Sequence, residues 1–135
     1  MVMNLRKLLL VFYGSDNVID YGTFSEDICD YPDIAFPLAE DVSKGVCDKG
    51  ILICSNGVGM SICANKVKAI RCGICFNSKT AKFAKRDDDI NIIAIPSDYV
   101  TNEEALEIIR IWQETKFEGG RYERRINKIK EFEER

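Results

Sequence analysis

Three short apolar runs, each followed by a segment with helical spacing, constrain this chain more than any other feature. They are Gly50-Ile-Leu-Ile-Cys54, Ala69-Ile-Arg-Cys-Gly-Ile-Cys75 and Asn91-Ile-Ile-Ala-Ile95, the last closed by Pro96. Continuous apolar runs of this length are buried on both faces, and strands that alternate with helices build a parallel sheet covered on both sides. Residues 60–67 read as one helix, and residues 78–86 as another with Ala81 and Ala84 on one face. Thr101-Asn-Glu-Glu104 is a capping box that opens a third, in which Leu106, Ile108, Ile109 and Trp112 recur at helical spacing. After Gly119-Gly120 comes a basic helix from Arg121 to about Glu133, whose Ile126, Ile129 and Phe132 repeat every three residues. A terminal helix with one apolar stripe docks on another surface, here expected to be a second subunit.

The N-terminal segment reads two ways. Leu5, Leu8, Leu9 and Phe12 fit a helix with Gly14 as its C-cap, and residues 8–13 equally fit a buried strand. The next strand is expected at Val18-Ile-Asp20. Four residues are too few for a parallel crossover from Tyr13, so a helix over residues 5–13 is the preferred reading.

With 135 residues the chain fits one domain, residues 1–135. A net charge of −3 lacks the basic excess of a nucleic-acid binder and has the wrong sign for a membrane surface. The longest apolar run, residues 8–13, is too short to span a bilayer. Arg6 and Lys7 before it mimic a signal peptide, but no small-residue cleavage site follows, so a cytoplasmic location is expected. The six cysteines are Cys29, Cys47, Cys54, Cys63, Cys72 and Cys75, and most sit in apolar segments as small hydrophobes. Cys72-x-x-Cys75 has redox or metal spacing, yet strand positions three apart face opposite ways. No second pair lies at zinc-ribbon spacing and the chain has no histidine, so buried thiols are expected and no metal site. Without histidine, any proton transfer must use Cys, Asp, Glu, Lys, Tyr or water.

Cys54 ends a central strand and faces the loop Ser55-Asn-Gly-Val-Gly59. The carboxyl ends of strands in an open parallel sheet hold the ligand. Glycines let backbone N–H groups close on an anion at a helix N-terminus, and such a nest favours the thiolate. A thiolate there could take a proton from a carbon beside a carbonyl while the amides hold the developing enediolate oxygen. The plainer reading of the same residues is a strand-end cysteine followed by a turn.

Several segments, read together, resemble one family. They are Asp20-Tyr-Gly-Thr23, Asp30-Tyr-Pro-Asp33, the block from Gly50 through Cys54 and Gly-Val-Gly-Met-Ser to Lys66, Ile70-Arg71, and Phe117-Glu-Gly-Gly-Arg-Tyr-Glu-Arg-Arg-Ile-Asn-Lys128. In this order they are similar to the signatures of the type B ribose-5-phosphate isomerases, a family that includes the galactose-6-phosphate isomerase subunits. The resemblance runs from about residue 17 to 130 and implies a Rossmann-like three-layer α/β/α sandwich with a mostly parallel sheet. It implies a homodimer, or a tetramer, with sites shared between subunits. It also implies aldose–ketose interconversion of a sugar phosphate through an enediolate, with no cofactor. By position, Cys54 resembles the catalytic base of the cysteine branch, because Met60 stands where the other branch has a Glu. Asn56 stands where the catalytic loop usually has a Thr, and Asp87 where a His opens the sugar ring. Ser55, Gly57, Val58, Gly59, Ser61, Asp88 and Asn91 fall at substrate-binding positions. Arg121 and Arg125 fall where arginines reach the phosphate from the partner subunit, a role suited to a planar, permanently charged fork. Without the resemblance, Arg121, Arg124 and Arg125 read as a solvated helix face.

The departures from the family pattern have a direction. The initial strand and Ser-Asp-His loop are absent or reduced to Gly14-Ser15-Asp16. Asp87 replaces a His, Asp98 an Arg, and Tyr122 a His. Two added carboxylates oppose a phosphate dianion at low effective dielectric. The expected substrate pair is ribose 5-phosphate and ribulose 5-phosphate. The alternatives are a different sugar, either a hexose phosphate or an unphosphorylated one, or a weakened family member that serves as a binding or partner subunit. A thiol redox protein using Cys72 and Cys75 is a third reading.

Overall fold

The computed structural model describes residues 2–22 and 30–135. Thr23 of the first quoted motif and Cys29 lie outside the described residues. Six helices and three strands follow one another: α1 Val2–Tyr13, α2 Pro32–Ser43, β1 Gly50–Cys54, α3 Val58–Asn65, β2 Cys72–Ile74, α4 Ser78–Asp88, β3 Ile92–Pro96, α5 Asn102–Glu114 and α6 Arg121–Glu133. The sheet order is β1-β3-β2, all parallel, with Leu52 opposite Ala94 and Cys72 opposite Ile92. Alternation along β3 splits the core. Ile93 and Ile95 pack with α1, α4 and α5 around Trp112, while Ile92 and Ala94 pack with α2 and α3 around Leu38 and Met60. The result is the expected Rossmann-like three-layer sandwich, with α6 laid outside against α4.

Local chemistry places the helix starts. Asn77 Oδ1 accepts the Thr80 N–H at 2.8 Å, and Thr101 Oγ1 accepts the Glu104 N–H at 3.1 Å while Glu104 reaches back to the Thr101 N–H. Trp112 is fully buried and its indole N–H donates to the Ile90 carbonyl at 3.1 Å, tying α5 to the start of β3.

Residues 5–13 are helical, as preferred, and Gly14 follows at φ +80°. The strand expected at residues 18–20 is not formed. This segment pairs with no strand and is tied down by side chains instead. Asp20 pairs with Arg6 at 3.2 Å and accepts the Gly22 N–H, and the Tyr21 hydroxyl donates to Asp41 of α2. Helix α2 has no counterpart among the sequence expectations. It carries Pro32 in its first turn, where the missing N–H costs nothing, and Pro37 inside, where it breaks the helical signal. Cys72 and Cys75 face opposite layers as free thiols, Cys72 toward α3 and Cys75 toward α4 and α5. Burial pushes the Cys72 thiol up to about 11 and the Cys75 thiol up to about 12. Among the described residues, no helix is long and apolar enough to cross a membrane, and no three His, Cys, Asp or Glu residues are grouped to hold a metal.

Candidate active site

Cys54 is the last residue of β1, half-buried, with a free thiol. Its carbonyl accepts the Ser97 N–H at 2.9 Å and the Ser97 hydroxyl at 3.3 Å, and the Ser55 carbonyl accepts the Asp98 N–H at 3.0 Å. The buried Ser97 and its neighbour therefore anchor the turn after β1 to the turn after β3. Nothing in the sequence singled Ser97 out beyond its place after Pro96.

Gly57 caps α3 at φ +78°, a left-handed conformation that side chains resist. Asn56 Oδ1 accepts the Val58 N–H at 2.9 Å. Among the described residues, the N–H groups of Gly57, Gly59 and Met60 have no acceptor. Three open amides at the start of a helix form an anion cradle beside the Cys54 turn. Of the expected cradle, Val58 is spent on Asn56 and Met60 takes its place. Ser61 faces the Cys72 thiol, so its hydroxyl points into the α3–β2 contact rather than the cradle. Tyr31 is the residue that sequence reasoning missed. Its ring lies on the Gly59 backbone, where a Cβ would stand 2.6 Å from Tyr31 Cζ. The signal was present in Asp30-Tyr-Pro-Asp33, without a role attached.

A cleft of about 810 Å³ runs along β1 between α1 and α2, and Cys54, Ser55, Met60 and Tyr31 stand at its carboxyl end.

The remaining candidates gather at the opposite end of the sheet. Asp87 and Asp88 close α4, and Arg71, which precedes β2, holds the carbonyls of Asp88 and Asp89. Asp87 takes a two-point contact from Arg86, with Nε at 2.6 Å. The guanidinium groups of Arg86, Arg121 and Arg125 surround the Tyr122 ring at 6.0, 5.0 and 5.7 Å from its centre. Arg121 also donates to the Tyr122 hydroxyl at 3.0 Å. That hydroxyl, then Glu118 and Asp87, raise the Arg121 pKa further. Asn91 is engaged within its own protomer. Its Oδ1 accepts the Arg71 N–H at 2.8 Å and its Nδ2 donates to the Ala69 carbonyl at 2.9 Å. Both amide atoms brace the backbone before β2 and β3, each with one further hydrogen-bonding position. One protomer thus holds a thiol and an anion cradle at one end, and an arginine cluster with Asp87 at the other.

The model of the ribose/galactose isomerase family matches residues 3–129. The chain is 49% identical over 106 residues to the putative sugar phosphate isomerase YwlF of Bacillus subtilis, covering 78% of this chain and 71% of that one. It superposes on ribose-5-phosphate isomerase B of Clostridium thermocellum with a TM-score of 0.92 and 40% identity, covering 98% of this chain and 90% of that one. Against ribose-5-phosphate isomerase B of Mycoplasma genitalium with bound ribulose-5-phosphate, the TM-score is 0.91 at 38% identity, covering 97% and 89%. With the match spanning nearly the whole chain and the same three-layer fold, this protein belongs to the ribose/galactose isomerase family.

Proposed function

We propose that this protein interconverts an aldose phosphate and a ketose phosphate, with ribose 5-phosphate and ribulose 5-phosphate as the expected pair. The observation that carries the reading is the Cys54 turn set beside the open amides of Gly57, Gly59 and Met60. The Cys54 thiolate removes the proton from the carbon next to the carbonyl. The electron pair left behind forms the carbon–carbon double bond of the enediolate, and the former carbonyl oxygen takes the negative charge against the amides. The hydroxyl proton on the adjoining carbon passes to that oxygen, and return of the carbon-bound proton to the neighbouring carbon completes the isomerisation with no redox partner. Arg121 and Arg125 of a second copy hold the phosphate, because their own protomer places them at the far end of the sheet. The exposed apolar residues of α6, Ile129 at 51% and Phe132 at 67%, give that second copy a surface to cover. Asp87 occupies the ring-opening position, and Asn56 steadies the cradle through the Val58 N–H.

The test is exchange of the substrate's carbon-bound proton with solvent deuterium, followed with ribulose 5-phosphate. Wild-type protein exchanges it and Cys54→Ala does not. Retained exchange in Cys54→Ala overturns the assignment.

One observation favours a second reading, that of a weakened or partner subunit. Arg86 already engages both oxygens of Asp87, which hinders that carboxylate as a base. Absence of turnover with any pentose or hexose phosphate, and its recovery on co-expression with a related chain, would select this reading.

A further inference from the structure

Arg86 has no part in the proposed reaction beyond its hold on Asp87, yet it stands at the centre of the arginine cluster. Its backbone carbonyl accepts the Glu118 N–H at 3.0 Å, which fastens the last turn of α4 to the loop leading into α6. Its guanidinium lies 4.5 Å from the centre of the Phe83 ring on α4 and 6.0 Å from the centre of the Tyr122 ring on α6. Arg121 and Arg125 share that Tyr122 ring. Three guanidinium groups thus gather round one ring, and most of their donors are open. Among the described residues, the guanidinium of Arg125 donates to no group, that of Arg121 only to the Tyr122 hydroxyl, and that of Arg86 only to Asp87. Glu118 stays 4.0 Å from Arg86 Nε, too far for a hydrogen bond. Asp87 takes the Arg86 fork through both of its oxygens, which is the contact a phosphate makes with an arginine. A phosphate monoester carries more charge than a carboxylate and three acceptor oxygens, and at this place it also meets Arg121 and Arg125.

We infer that Arg86 is a third ligand for the substrate's phosphate, and that Asp87 occupies its fork until the phosphate arrives. The inference rests on the reading of Arg121 and Arg125 as phosphate-holding groups and deepens it. Seating the phosphate transfers the Arg86 fork from Asp87 to the ligand and releases the Asp87 carboxylate. An unphosphorylated sugar leaves the Arg86–Asp87 pair closed. Selection for a phosphate monoester therefore comes from this exchange of partners as well as from the positive charge of the cluster. The Phe83 ring holds Arg86 in place throughout, so little side-chain order has to be gained on binding.

The probe is methyl phosphate, a monoester dianion at about pH 8 with no sugar to isomerise. Its Kd is measured by calorimetry at fixed ionic strength for the full chain, for Arg86→Gln, for Asp87→Asn and for the two changes together. Arg86→Gln is expected to weaken binding about tenfold, as for one lost charge-assisted contact, and Asp87→Asn to tighten it about tenfold. In the Arg86→Gln background, Asp87→Asn is expected to change Kd by less than about twofold. Arg86→Lys, which keeps the charge without the fork, is expected to weaken binding severalfold and serves as the second variant if Arg86→Gln does not fold. Equal tightening by Asp87→Asn in both backgrounds would mean that Asp87 acts by repulsion alone, and overturns the inference. Unchanged affinity in Asp87→Asn, or in both Arg86 variants, overturns it too. Arg125→Gln separates this inference from the reading beneath it. Weaker binding there with unchanged binding in the Arg86 variants leaves the phosphate role of Arg125 standing, whereas no binding by the unaltered chain overturns both. Nothing turns over in this measurement, so it stands apart from the proton-exchange test of Cys54.

Discussion

The ring of Tyr31 rests on the backbone of Gly59, joining the start of α2 to the first turn of α3. The contact packs on the helix turn whose amides form the cradle. A methyl group at residue 59 would meet the ring at 2.6 Å, too close for any unshifted structure. Gly59→Ala is therefore expected to cost about 1–3 kcal/mol in urea unfolding, and to slow solvent proton exchange. In a Tyr31→Ala background the same change should cost less than about 0.5 kcal/mol. Equal costs in both backgrounds would show that the ring is not what Gly59 accommodates.

Ala69 sits at φ +70°, left-handed for a residue with a side chain. It is held there by the Glu133 carboxylate, which accepts its N–H at 3.0 Å, and by Asn91, which donates to its carbonyl. Relief of that strain exceeds the extra chain entropy of glycine. Ala69→Gly is expected to raise stability by about 0.5–1 kcal/mol, read as a higher urea midpoint at unchanged slope. A lower midpoint would contradict it.

The buried thiols set an alkaline limit. Desolvation raises Cys72 from 9.0 to about 11 and Cys75 from 9.0 to about 12 in the folded chain. The unfolded chain releases these protons first, so the stability they contribute is complete below pH 9 and is lost as pH rises from 9 toward 11–12. Once the unfolded thiols ionise, each contributes a slope of about 1.4 kcal/mol per pH unit. Unfolding free energy measured from pH 8 to 11 should fall accordingly, and the Cys72→Ala, Cys75→Ala double variant should show a shallower fall. Both thiols should also resist modification in the native state, whereas a redox pair would react.

A site shared between copies makes a complementation prediction. Cys54→Ala alone and Arg125→Ala alone should each be nearly inactive, with Arg125→Ala acting mainly through a KM for substrate raised roughly 10–100-fold, the worth of a lost charge-assisted contact. Mixed, unfolded and refolded together, they should recover about a quarter of wild-type activity, because each hybrid dimer regains one intact site. No recovery would mean that both groups act within one protomer.

The sequence by itself settled what short-range chemistry controls. The capping residues Asn77 and Thr101, the apolar runs of β1 and β3, and the stripe of α5 each announce their element within a few residues, because caps and periodicity are local. Cys54 beside a glycine turn was legible for the same reason. Only the tertiary structure decided what depends on distant partners. Val18 to Asp20 has strand-like composition but is held by Asp20 on Arg6 and Tyr21 on Asp41 without pairing, and α2 forms despite Pro37 because Ala35, Leu38, Ala39 and Val42 are buried against β1 and α3. Asn91 and Asp87 lie four residues apart in sequence, yet Asn91 braces the backbone while Asp87 meets Arg86. The separation of Cys54 from Arg121 follows from topology. Parallel strands place every strand's carboxyl end on one side, and a helix running back, such as α4, delivers its last turn to the other.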